Sequence, residues 1–312
     1  MEKRWLQKPT PDSSIVDSLS ASLNIDNKIA LLLAQRGIKT FEEARNFFRP
    51  EFSDLHNPFL MKGMAEAVTR LEQAIANKEN ILVYGDYDVD GTTAVAYFYK
   101  FLSAFYPNTD FYIPDRYKEG YGISTDGIDF AEANNFSLII ALDCGIRAVE
   151  KINYANNKGI DFIICDHHLP GEEIPAAIAV LDPKQPGCDY PFKELSGCGI
   201  GFKLAQAYAQ KNNIAFSELE KNIDLVAVSI AADIVSITGE NRVLTYYGLK
   251  KLNENPSTGL KSIIELNNMK RELTISDIVF IIAPRINAAG RIASGKQAVE
   301  LLISSSTDNH SA

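Results

Sequence analysis

The sequence predicts an α/β protein with a mostly parallel sheet flanked by helices, and three observations carry that prediction. Short apolar runs near residues 81, 110, 140, 162 and 180 alternate with stretches of helical spacing at 92–105, 124–134, 146–157 and 200–211. The first run, Ile81 to Tyr84, is apolar or aromatic throughout, as a strand covered on both faces is. Asp86, Asp143, Asp166 and Asp182 each stand at or just after the end of a run, and parallel sheets hold their ligands beyond the carboxyl ends of the strands.

The elements follow in order. Residues 13–35 place Ile15, Leu19, Leu23 and Ile29 to Leu33 at helical spacing, with Gly37 as the stop. Thr40 can cap a short helix that runs to Pro50. His56 reads as a loop residue, because no acidic or histidine partner lies at helical distance. An amphipathic helix follows, with Met64, Ala67, Val68, Leu71 and Ile75 on one side. Residues 1–80 are thus a helical N-terminal region, 81–255 the α/β domain and 256–312 a helical connecting region. Asp233 falls near the end of a long apolar helix, and helical spacing continues to the PRINAAGR stretch.

Composition narrows the function. The 312 residues suit two domains, or one large domain with an appendage, and 46% are apolar, as in globular proteins. No apolar stretch is long enough to span a membrane and residues 1–14 lack a signal-peptide core, so a cytoplasmic protein without membrane partners is expected. The four cysteines form no C-x-x-C pair and are expected to be reduced. A net charge of −9 argues against a generally basic nucleic-acid coat, though a local basic track is compatible with it.

The chemistry concentrates where the first strand empties into GDYDVDG. If that segment stays extended, the carboxylates of Asp86, Asp88 and Asp90 point the same way and call for a cation. An EF-hand is excluded, because the twelfth position of such a loop is Tyr97, not a bidentate carboxylate. A solvated acidic loop is the alternative. Asp166, His167 and His168 close another strand, and neighbouring histidines diverge, so one can take a metal while the other turns elsewhere. Carboxylates with imidazole favour manganese or magnesium, while Cys144 and Cys165 leave zinc as an alternative. The glycines of GCGIGFKLA can cradle phosphate or serve close strand–helix packing.

GDYDVDG, DCG at 143–145, DHH at 166–168 and AADIV at 231–235 resemble, in order and context, the four motifs of the DHH phosphoesterase superfamily. NPFLMKGMAEAV, IPDRYKEGYG, GCGIGFKLA and PRINAAGR extend the resemblance to the RecJ family of single-stranded-DNA-specific exonucleases. The resemblance implies two Mn2+ or Mg2+ ions, bridged by Asp143, one also held by Asp86 and the other by Asp88, His167 and Asp233. Ions about 3.5–4 Å apart can activate a water and stabilise the leaving oxygen of a phosphodiester. His168 would contact the scissile phosphate, with Asp90 and Asp166 orienting the ligands. Tyr84 stands where the family often has histidine, which would weaken the first metal site. Arg116 is the candidate reader of a 5′ phosphate, and Arg285, Asn287 and Arg291 are candidate substrate contacts.

The function implied is a monomeric 5′ to 3′ exonuclease on single-stranded DNA in repair and recombination. Its implied partners are single-stranded-DNA-binding protein and a recombination helicase. Nothing in the chain corresponds to the family's DHHA1 lobe or OB fold, which puts the activity of this chain by itself in question. One alternative is a DHH hydrolase of short oligonucleotides, cyclic dinucleotides or pyrophosphate. Another is an inactive nucleic-acid-binding relative.

Overall fold

The structure, a computed structural model, describes residue 6, residues 8–292 and residues 294–305, the side chains of 290–292 excepted. The chain divides after Leu55 into two compact units. In the first, α1 (Ser13–Leu23), α2 (Asn27–Ala34) and α3 (Phe41–Phe48) enclose Leu19, Ala30, Leu33 and Ala44. The helical spacing over 13–35 is therefore two helices. Asn24 takes a left-handed conformation (φ 52°) that ends α1, and Asp26 caps α2 by accepting from Lys28 N. Thr40 and Glu43 form the capping box of α3.

The second unit opens with α4 (Met64–Ala76), which buries Met64, Ala67, Val68, Leu71 and Ala74. Then come β1 (Asn80–Gly85), α5 (Val89–Ser103), β2 (Thr109–Tyr112), α6 (Thr125–Ala133), β3 (Phe136–Leu142), α7 (Val149–Asn157), β4 (Asp161–Cys165) and β5 (Ala179–Leu181). All strand pairs are parallel, in the order β2-β1-β3-β4-β5. Ile81 to Tyr84 and Leu138 to Leu142 are completely buried, because helices cover both faces. The predicted fold class is the observed one. The order reverses between β1 and β3, so a crevice opens at their carboxyl ends.

Helices α8 (Gly197–Lys211), α9 (Ser217–Glu220), α10 (Ile223–Ala232), α11 (Gly239–Glu254) and α12 (Thr258–Leu266) follow, and α10 packs against α5, α8 and α11. A last helical run joins α13 (Ile275–Asp277), a π-helical turn over Ile278–Ile282 and α14 (Ala283–Ile292), before α15 (Gly295–Ile303). Among the described residues no helix is long and apolar enough to cross a membrane.

Candidate metal centre

Register brings four aspartates level. Gly85 pairs with Leu142, Leu142 with Cys165 and Cys165 with Leu181, so the next residue of each strand forms the row Asp86, Asp143, Asp166, Asp182. Adjacent strands lie about 4.8 Å apart, and these four residues are at most 1% exposed. Asp143 has φ 60°, a left-handed conformation that aspartate tolerates. A β-carbon on Gly197 would lie 2.5 Å from that of Asp143, so only glycine lets the start of α8 come this close.

The three aspartates of GDYDVDG do not stay extended. Helix α5 begins at Val89, with Asp88 as its cap accepting from Gly91 N at 2.9 Å. A β-carbon on Gly91 would fall 2.4 Å from the Asp86 carbonyl oxygen, which is why the chain can turn this early. Asp86 therefore ends the strand, Asp88 caps the helix and Asp90 lies in its first turn. Asp90 turns from solvent to α8, accepting from Gly197 N at 2.7 Å, Cys198 N at 2.9 Å and Ser229 Oγ at 2.6 Å. The glycine-rich start of α8 thus spends its N–H groups on Asp90, and close packing accounts for its glycines.

The two histidines diverge, with ring planes at 62°. His167 Nε2 lies 3.2 Å from Asp143 Oδ1, 3.6 Å from Asp233 Oδ2 and 3.8 Å from Asp90 Oδ2. His168 Nδ1 is 2.7 Å from Asp166 Oδ1, and its side chain is 43% exposed. Asp166 also accepts from Ile146 N, His167 N and His168 N, so it fixes both the loop after β3 and the histidine pair.

Burial and mutual repulsion make the cluster costly without positive charge. Burial, then the neighbouring Asp88, pushes Asp86 up to about 7. Burial, then Asp90, does the same to Asp233, also to about 7, and raises Asp143 well above the carboxylate range. Burial holds His167 below its ordinary value. Asp166 differs: burial opposes its charge, yet the hydrogen bond from His168 and the backbone donors keep it below the usual range. The same bond raises His168.

The donor set fits divalent cations. Asp86 Oδ2, Asp143 Oδ1 and both ring nitrogens of His167 are buried without a hydrogen-bond partner, which is costly unless something else satisfies them. Ligand atoms of Asp143, His167 and His168, and of Asp90, His167 and Asp233, lie within 4.8 Å of one another. Oxygen with imidazole suits manganese or magnesium. Burial raises the thiols of Cys144 and Cys165, and neither joins these groups, so the zinc alternative has no thiolate to use.

Other candidates lie elsewhere. The Tyr84 hydroxyl donates to Gly122 O at 2.9 Å and accepts from Ser124 N at 3.0 Å, so it holds a loop rather than facing the aspartates. Arg116 places its guanidinium 4.9 Å from the centre of the Tyr87 ring and lines a separate cavity with Ser294 and Lys296. Arg285 donates to Ile281 O within its own helical run, and neither it nor Asn287 lines the cleft beside the histidines. The side chain of Arg291 lies outside the described residues. That cleft, of about 700 Å³, is bounded by His167, His168, Tyr121 and three basic residues that sequence reasoning passed over, Arg147, Lys151 and Lys184. The available signal was position: Arg147 and Lys184 sit just past strand ends.

The family profile described as DHH family, N-terminal domain, matches residues 80–230. The chain is 43% identical over 304 residues to the single-stranded-DNA-specific exonuclease RecJ of Bacillus subtilis, covering 96% of this chain and 38% of that protein. It is 33% identical over 284 residues to its namesake from Escherichia coli, covering 87% and 48%. The chain thus spans less than half the length of these two relatives. The crystal structure of RecJ in complex with Mn2+ from Thermus thermophilus superimposes with a TM-score of 0.80 at 26% identity, over 96% of this chain and 42% of that one. A crystal structure of exonuclease RecJ bound to manganese gives 0.71 at 30% identity, over 81% and 63%. Matched in sequence across the aspartate row and in fold around it, residues 80–230 form an N-terminal domain of the DHH family.

Proposed function

We propose that this chain carries the hydrolytic centre of a metal-dependent 5′ to 3′ exonuclease for single-stranded DNA, working in the cytoplasm in repair and recombination. The observation that carries the reading is the set of buried, unpartnered ligand atoms on Asp86, Asp143 and His167 at the sheet's switch point. Likeness to RecJ proteins named for that activity, and to one solved with manganese, supports substrate and metal. In this reading residues 81–255 are the catalytic domain, 1–80 a helical N-terminal region and 256–312 a connecting region. The enzyme acts as a monomer, with a single-stranded-DNA-binding protein and a recombination helicase as partners.

Asp86, Asp88, Asp143, His167 and Asp233 are the proposed ligands for two Mn2+ or Mg2+ ions. Bound there, such ions supply Lewis acidity to a water and to the phosphodiester. The chain's own groups do the rest. Asp166 accepts the Nδ1 proton of His168, which directs Nε2 toward the substrate phosphate. Asp90, tied to α8, fixes the wall against which His167 rests. Arg116 is the proposed reader of a terminal 5′ phosphate, with Arg285, Asn287 and Arg291 as further substrate contacts.

The test is digestion of end-labelled single and double strands with manganese. Mononucleotide release from the 5′ end of the single strand, lost in Asp143→Ala, is the expected result. Equal cutting of both substrates, or full activity in Asp143→Ala, overturns the reading.

A further inference from the structure

The cleft beside the histidines has a wall that the metal centre does not use. Arg147, Lys151 and Lys184 line it together with the exposed apolar side chains of Tyr121 and Leu169. Two other cations of this unit, both well buried, are paired with carboxylates: Arg70 with Glu79 and Asp161, and Lys203 with Glu240. The three in the cleft are not. Arg147 Nε donates to Leu169 O at 2.7 Å, Lys151 Nζ to Thr125 Oγ1 at 2.5 Å and Lys184 Nζ to His167 O at 2.6 Å. Each acceptor is neutral, and no carboxylate pairs with any of the three among the described residues.

In a chain of net charge −9, three cations without a hydrogen-bonded carboxylate around one cleft favour an anion, although Asp166 also lines it and Lys184 feels Asp182 and Asp233. Tyr121 and Leu169 give the cleft exposed apolar surface, and the volume of about 700 Å³ lies in the range of small-molecule sites. A nucleotide has both properties, a phosphate for the cations and a base whose flat face suits the Tyr121 ring. The bond from Lys184 to the His167 carbonyl ties this wall to a proposed ligand residue.

We infer that this cleft is a nucleotide subsite: Arg147, Lys151 and Lys184 hold the phosphate next to the scissile one, and Tyr121 and Leu169 pack against the adjoining sugar and base. The inference rests on the exonuclease reading only for which bond is cut; phosphate recognition is measured apart from cutting.

The probe is thymidine 3′,5′-bisphosphate, titrated without metal into the isotopically labelled protein, with thymidine as control. Backbone shifts at Ile146 and Ala148 that saturate with the bisphosphate are expected, with thymidine weaker by about tenfold or more. Arg147→Ala with Lys151→Ala should weaken the bisphosphate by at least about tenfold, Arg147→Lys by much less, since a charge-assisted bond is worth about that factor. Manganese uptake and melting temperature should stay as in the wild type, because Arg147 is exposed and neither side chain reaches the aspartate row. Equal affinity for thymidine and its bisphosphate, or unchanged binding in the double variant, overturns the inference. A wild type that cuts no DNA yet binds the bisphosphate through Arg147 and Lys151 defeats the exonuclease reading and upholds the subsite.

Discussion

Asp90 accepts a hydrogen bond from the backbone N–H of Gly197 at 2.7 Å, across 107 residues of sequence. A carboxylate of the α5 turn thereby fills the N-terminus of α8, a place where an anion is favoured. The same carboxylate stands 3.8 Å from His167 Nε2, so the bond that joins two helices also sets a wall of the proposed metal centre. Asp90→Ala would leave Gly197 N, Cys198 N and Ser229 Oγ without their acceptor. It should lower unfolding free energy by roughly 1–3 kcal/mol and manganese affinity by about 10–100-fold. Urea denaturation and manganese titration check the two effects, and a folded Asp90→Ala with undiminished affinity would refute the coupling.

Burial of the Asp86 carboxylate, and then its repulsion by Asp88, predict that removing this charge stabilises the metal-free protein. Asp86 titrates at about 7 in the fold against an ordinary 3.8. The folded state therefore binds this proton more tightly than the unfolded chain, and the stability it contributes is complete below pH 3.8 and lost as pH rises to about 7. Asp86→Asn removes the ionised form. With chelator at pH 8 its melting temperature should exceed that of the wild type by about 2–4 °C per kcal/mol recovered, and the gap should close at pH 5, where Asp86 is protonated. Manganese should raise the wild type's melting temperature increasingly as pH passes 7 and raise the variant's by less, because only the ion that Asp86 holds is lost. Scanning fluorimetry at both pH values decides it, and a variant less stable than the wild type at pH 8 would contradict the cost of burying this charge.

The sheet and the strand-end aspartates were legible because both signals are local: an apolar run, then a carboxylate where the run stops. The separation of Asp86, Asp88 and Asp90 was not, because it depends on Gly91 passing against the Asp86 carbonyl and starting α5 at Val89. The partners of Asp90 lie on α8 and α10, which no spacing rule connects to it. Arg147 and Lys184 are isolated basic residues in sequence and become neighbours only once β3, β4 and β5 align. The break at Asn24 was signalled by Asn24 and Asp26 but masked by apolar spacing that continues across it.

Lys203 and Glu240 form an ion pair whose side chains are both 0% exposed, Nζ to Oε1 at 3.0 Å. Lys203 Nζ also donates to His56 O, while Glu240 accepts from His56 N and from the Tyr190 hydroxyl. The pair therefore ties α8 to the first turn of α11, the helix that follows Asp233, and to the loop before α4. Burial lowers Lys203, so a lysine left without its carboxylate is either a buried charge or a deprotonated amine. Glu240→Ala should cost about 3–5 kcal/mol. Lys203→Met with Glu240→Gln should recover much of that loss, because no unpaired charge remains and the introduced amide still offers an oxygen to the Tyr190 hydroxyl or His56 N. Chemical denaturation of the single and double variants tests this. A double variant as unstable as Glu240→Ala would mean that the fold depends on the charge pair itself rather than on satisfying the groups around it.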